Sequence, residues 1–289
     1  MKLSVRPRRS ALYLPASNPR AIAKAQGLPT DMVILDLEDA VAPERKAAAR
    51  QAAIAAVAEG TWDFREVLVR VNATSTEGGS RDLAAAAGAS GLAGVVIPKV
   101  TGPADVRAAD AALASAHPGL ALWAMIETCA AVCDLPALAR TARDTRLAGL
   151  VMGFNDLAKE MRAEPGPDRA VFLPFLSMAV AAARAEGLVV LDGVCNALGD
   201  PARLEAECRQ SRMFGVDGKT LIHPAQVDPC NAIFSPDPAA VARARRIVAA
   251  FEAPDAEGRG VVSLDGEMVE LLHLEEARRL LATEAMIRR

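Results

Sequence analysis

Eight short apolar runs recur along this chain, and no other feature limits the possible folds as strongly. They are SALYLP (10–15), DMVILDLED (31–39), EVLVRVN (66–72), AGVVIPK (93–99), LALWAMIE (120–127), LAGLVMGFND (147–156), GLVVLDG (187–193) and VDGKTLIHP (216–224). They are continuous rather than alternating, as expected of parallel strands covered on both faces. Alanine-rich segments with helical spacing lie between them, among them PERKAAARQAAIAAVAEG and LPFLSMAVAAARAEG. Pro43 and Pro174 suit helix first turns, and Gly60 and Gly187 suit helix ends. Strand and helix alternating eight times predicts an α/β chain with a (β/α)8 TIM barrel. An open doubly wound sheet is the rival, but the first strand runs into YLPASNP rather than a G-x-G-x-x-G turn.

The barrel is expected to occupy residues 1–230. Residues 231–289 form a C-terminal extension, with a proline-started amphipathic helix (SPDPAAVARARRIVAAFEA), a hairpin around Asp265-Gly266 and a closing helix (LLHLEEARRLLATEAMIRR). So short a segment is expected to pack on its own barrel or on that of a neighbour.

Composition narrows the function. Hydrophobic residues make up 52% and charged residues 24% of 289, and the formal net charge is −3 without a long basic block. Nucleic-acid binding is therefore not expected. No run of 18 apolar residues suggests a membrane span, and no apolar run follows the basic start MKLSVRPRRS, so a cytoplasmic protein is expected. Five cysteines without a disulfide or zinc spacing, and three scattered histidines, read as reduced structural thiols.

Barrel chemistry gathers where strands end. Those positions hold Asp36, Glu38 and Asp39; Arg70 and Asn72; Lys99; Glu127; Asn155 and Asp156; Asp192; Lys219 and His223. Glu127 closes a nearly all-apolar run, where an unpaired carboxylate is costly. Asp156 stands on the next strand. Alone, it reads equally as a cap for the helix that follows. Beside Glu127 it reads as half of an oxygen-only site for a divalent ion, Mg2+ or its substitute Mn2+. Arg70 either pairs with the acids of DLED or offers its fork to a substrate carboxylate or a developing enolate oxygen. Lys99 as a Schiff-base nucleophile would need a desolvated, electropositive setting, which so many carboxylates oppose.

Taken in order, RSALYLPASNPRAIAKA, DLEDAV, LVRVN, VIPKV, MIET, MGFNDLAKE, LDGV and GKTLIHPAQ carry a family resemblance over nearly the whole chain. The chain resembles the citrate lyase β-subunit-like enzymes, which with the malyl-CoA lyases belong to the HpcH/HpaI aldolase superfamily. LWAMIET, NDLAKE, LDGVCNA and GEMVELLHLEEAR are most similar to the branch that includes (3S)-malyl-CoA thioesterases. The resemblance implies a barrel assembling as a homotrimer or homohexamer and acting with Mg2+ on an acyl-CoA thioester, with a small keto acid as partner. It implies Glu127 and Asp156 as metal ligands, and Arg70 on the α-keto or carboxylate end. It puts Tyr13, Lys24, His223 and Pro224 along the coenzyme A path, and Glu38 and Asp39 on metal-bound waters. Glu270 stands where malyl-CoA lyases carry an aspartate acid, and Asn18 lies near a position that is basic in them. The leading expectation is a lyase cleaving malyl-, citramalyl- or citryl-CoA by retro-Claisen chemistry. Its alternatives are thioester hydrolysis at the same metal site, with Glu270 positioning water, and a non-catalytic barrel subunit.

Overall fold

A computed structural model describes residues 6–253 and 258–287. The beginning of the basic N-terminal stretch and the last two arginines of the closing helix lie outside them. Eight parallel strands close a barrel in sequence order: β1 (Ser10–Pro15), β2 (Met32–Asp36), β3 (Glu66–Arg70), β4 (Gly94–Ile97), β5 (Ala121–Ile126), β6 (Leu147–Met152), β7 (Val189–Asp192) and β8 (Gly218–Leu221). β8 closes the ring on β1, with Ser10 level with Lys219. Helices follow the strands, so the chain is the (β/α)8 barrel that its periodicity predicts.

The apolar runs outlast the strands they contain. β6 stops at Met152, and Asn155 and Asp156 fall on the first turn of the helix Phe154–Met161 rather than on the strand. β2 likewise stops at Asp36, leaving Glu38 and Asp39 in the turn beyond it. Side chains alternate across each strand. Leu12, Leu14, Val33, Leu35, Val67 and Val69 join the large core beneath the helices, while Tyr13, Asp36 and Arg70 turn to the lumen and line a cleft. Lower in the lumen Trp123 is held against Gly149, where a methyl group would meet its ring at 2.3 Å. That filled floor leaves the strand C-termini as the open end.

The chain divides into two compact units, one spanning Arg8–Phe234 and the other taking in residues 6–7 and the chain from Ser235 onward. In the second, the helices Pro238–Glu252 and Leu271–Ile287 and a two-stranded hairpin enclose Ala244, Ile247, Val269, Leu274 and Ala277. The hairpin strands β9 (Val261–Leu264) and β10 (Glu267–Glu270) are joined by Asp265 and Gly266 at φ 54° and 81°, the positive values a two-residue turn of this kind requires.

Candidate active site

Arg70 organises one side of the mouth. It ends β3 level with Asp36 at the end of β2, and this register places the two side chains together. Nε and Nη2 each donate to one Asp36 oxygen at 2.7 Å, a bidentate pair that fixes the guanidinium plane. Nη1 remains on the cleft side, 3.0 Å from Glu38 Oε2 and 3.5 Å from Asp39 Oδ2. The Tyr13 ring faces the guanidinium carbon at 5.0 Å. Arg70 thus pairs with the DLED acids and also lines the cleft. Burial opposes its charge, but the Asp36 hydrogen bonds and the surrounding anions outweigh burial and raise its pKa. Burial raises the Tyr13 phenol as well, keeping it protonated.

Glu38 is 7% exposed, and its Oε2 lies within ion-pair distance of Arg70 but off hydrogen-bond geometry. Burial, only partly offset by Arg70, pushes its pKa up to about 7. A carboxyl group in that range is half ionised near neutrality and suited to proton transfer.

Glu127 and Asp156 face the other side. Glu127 follows β5 and is 1% exposed. Its Oε1 accepts the Lys99 main-chain N–H at 2.7 Å, while its Oε2 is buried without a hydrogen-bond partner. Gly153 makes room for it, since a Cβ there would fall 2.6 Å from that same Oε2. Burial is the main cause of the raised Glu127 pKa. Lys99 Nζ lies 2.7 Å from Asp156 Oδ2 and 3.4 Å from Glu127 Oε1. Burial opposes the Lys99 charge, yet the Asp156 hydrogen bond and the nearby carboxylates hold its pKa up. A lysine so firmly protonated is a poor Schiff-base nucleophile.

An unpartnered buried oxygen, a second carboxylate across from it and a glycine-made space suit a hard divalent ion. Among the described residues no group of three or more His, Cys, Asp or Glu could hold a metal. A site of two carboxylates with open positions for water and substrate would fit the habits of Mg2+ better than those of a structural zinc. The cleft is about 400 Å³ and also includes Asp39, Met125, Asn155, Asn196 and Ile222.

Tyr13, Arg70, Asp39, Glu127 and Asp156 thus meet in one cleft, with Glu38 against Arg70. Lys24, His223 and Pro224 are not among its lining residues. Lys24 is exposed on the helix Pro19–Ala25, and the exposed His223 caps a single helical turn, its Nδ1 accepting from Ala225 N. Glu270 belongs to the second unit, where its N–H donates to His273 Nδ1. Two contributors went unread in the sequence. Asn196, in the loop after β7, exchanges amide hydrogen bonds with Asn155 at 2.7 and 3.5 Å; only its place just beyond a strand end pointed to it. Gly153, inside MGFND, had no signal, since its sequence neighbours are Met152 and Phe154.

A sequence model of the HpcH/HpaI aldolase/citrate lyase family matches residues 9–224. The chain belongs to this family. Its relatives include a (3S)-malyl-CoA thioesterase of Cereibacter sphaeroides, 47% identical over 96% of this chain and 94% of that one. Citrate lyase subunit beta of Escherichia coli is 33% identical over 96% and 93%. Among solved structures, CitE from Mycobacterium tuberculosis in complex with magnesium, acetoacetate and coenzyme A superposes with a TM-score of 0.75 at 31% identity, covering 96% and 97%. As a member of the HpcH/HpaI family the chain is an enzyme, and a non-catalytic scaffold finds no support.

Proposed function

We propose that this enzyme hydrolyses a short 3-hydroxyacyl-CoA of the (3S)-malyl-CoA type with Mg2+. The observation that carries the reading is the end-to-end likeness to a (3S)-malyl-CoA thioesterase, 47% identical, against 33% for a citrate lyase subunit. It supports the hydrolytic alternative better than C–C cleavage, the leading expectation from sequence.

The acyl group brings a terminal carboxylate, a hydroxyl and a thioester. Arg70, its plane locked by Asp36, keeps Nη1 for the carboxylate. Tyr13 shields that pair from water along one face. Glu127 and Asp156 would hold Mg2+, with Glu38 and Asp39 toward its waters; bound there, the ion supplies Lewis-acid polarisation of the acyl oxygens. Glu38 takes a proton from the attacking water, whose oxygen joins the acyl carbon as the C–S bond breaks, and Glu38 then returns that proton to the departing thiolate of coenzyme A. Glu270 is the rival for the water-positioning role, should the second unit of the same or a neighbouring chain reach the site. Lys24, His223 and Pro224 remain candidates for the coenzyme A path, and a homotrimer or homohexamer remains the assembly proposed.

A second reading keeps the same groups and cleaves the carbon–carbon bond, with Arg70 neutralising the enolate. It is favoured by the citrate lyase likeness and by the acetoacetate and coenzyme A bound in CitE. One assay separates the two: (3S)-malyl-CoA with Mg2+, following free thiol and keto acid together, with and without EDTA. Hydrolysis gives thiol and no keto acid, and EDTA abolishes it. Keto acid equimolar with substrate consumed, without thiol, would establish the lyase instead. Silence toward malyl-, citramalyl- and citryl-CoA alike would refute both.

A further inference from the structure

We propose that Lys99 is a resident counter-cation of the carboxylate pair, and that a divalent ion enters by displacing its ammonium. The inference rests on the reading of Glu127 and Asp156 as a cation site. Lys99 grips that pair twice, through its main-chain N–H on Glu127 Oε1 at 2.7 Å and through Nζ, 2.7 Å from Asp156 Oδ2 and 3.4 Å from Glu127 Oε1. To do so it adopts φ 54°, a left-handed backbone that glycine or asparagine takes more readily. Had the turn needed only a main-chain donor, either of those would serve with less strain. A lysine there points to use of the ammonium.

One ammonium against two carboxylates leaves the pair net negative, and it does not reach Glu127 Oε2, which keeps no hydrogen-bond partner. A divalent ion cancels both charges and can use that oxygen, so it wins when present. The Lys99 side chain is 35% exposed, which gives the ammonium a path to water. The main-chain bond to Oε1 does not depend on the side chain and keeps Glu127 aimed in either state. The lysine therefore stabilises the metal-free protein and weakens metal binding by the same interaction.

The test is Mn2+ titration of the full-length protein by electron paramagnetic resonance, with melting curves in EDTA and in saturating Mn2+. Lys99→Met is expected to bind Mn2+ about tenfold more tightly than wild type. It is expected to melt lower in EDTA and to gain more from Mn2+. Lys99→Gly, which relieves the left-handed backbone and so blurs the melting comparison, is expected to show the same gain in Mn2+ affinity if the methionine variant folds poorly. Lys99→Arg keeps the charge and stays near wild-type affinity. Binding by wild type with equal or weaker binding by both ammonium-free variants would overturn this inference alone. No Mn2+ bound by any of the proteins would overturn the cation site and this inference with it.

Discussion

Arg70 and Glu38 show how much of this site is set by single side chains. A lysine at 70 could not hold Asp36 with two parallel bonds and still offer a third donor to the cleft. Arg70→Lys is therefore expected to lower kcat/KM by roughly 100-fold or more while the melting temperature moves little. Unchanged steady-state kinetics would remove Arg70 from the site. Glu38 carries the pH dependence. Its burial raises it to about 7, so a base role predicts kcat/KM falling about tenfold per unit below that value. Stability runs the other way. The folded protein holds this proton more tightly than the unfolded chain, so the contribution is full below the ordinary carboxylate range and is lost as pH rises through about 7. Glu38→Gln should flatten both trends. A rate profile that keeps its acidic limb in Glu38→Gln and loses it in Glu270→Gln would move the base to the second unit.

At the scale of elements, the junction of β6 with its helix decides whether Glu127 fits. A Cβ at Gly153 would lie 2.5 Å from Glu127 Cβ, which no side-chain torsion can move away, and 2.6 Å from Oε2, whose carboxylate is held through Oε1 by the Lys99 main chain. Gly153→Ala is expected to cost about 1–3 kcal/mol in chemical denaturation. It should also weaken Mg2+ binding in calorimetry; wild-type affinity would show that the space is not needed. The same junction marks where the sequence stops being readable. Eight strands and the Asp265-Gly266 hairpin were legible because buried parallel strands leave continuous apolar runs and positive φ leaves a turn dipeptide. The strand ends were not, because Glu38 and Asp156 stay next to the apolar run whether the backbone is extended or already turning. Glu127 was legible as a carboxylate in an apolar setting. That Lys99 would lie across it was not, since a left-handed lysine leaves no trace in composition or period.

Over the whole barrel, a buried charge cluster away from the cleft ties the closing strand to its neighbour. Lys219 on β8, the strand that completes the ring, has no exposed surface; its Nζ donates at 2.6 Å to Asp192 Oδ2 at the end of β7 and to the Gly193 carbonyl, and lies 3.0 Å from Glu207. Arg169 binds both Asp192 oxygens at 2.8 and 3.0 Å and also Gln210, and Ser211 donates to Asp192 at 2.6 Å. Two strands, the helix Pro201–Met213 and the loop at Arg169 are thus tied to one buried carboxylate. Burial works to raise Asp192, but Lys219 and Arg169 outweigh it and hold its pKa below the ordinary value. The matching contribution to stability is present above the ordinary carboxylate range and is lost only as pH falls through that lowered value. Burial likewise opposes Lys219, and Asp192 more than restores it, so its contribution persists until pH rises beyond the usual lysine range. Removing one partner leaves the others desolvated and unbalanced. Lys219→Met is expected to cost about 3–5 kcal/mol in denaturant unfolding, with an acid transition moved to higher pH. Adding Asp192→Asn to it should recover part of the loss, because the stranded anion goes with it. A Lys219→Met variant as stable as wild type from pH 4 to 9 would mean that the ring closes on its apolar staves alone, and that these charges are passengers of the fold.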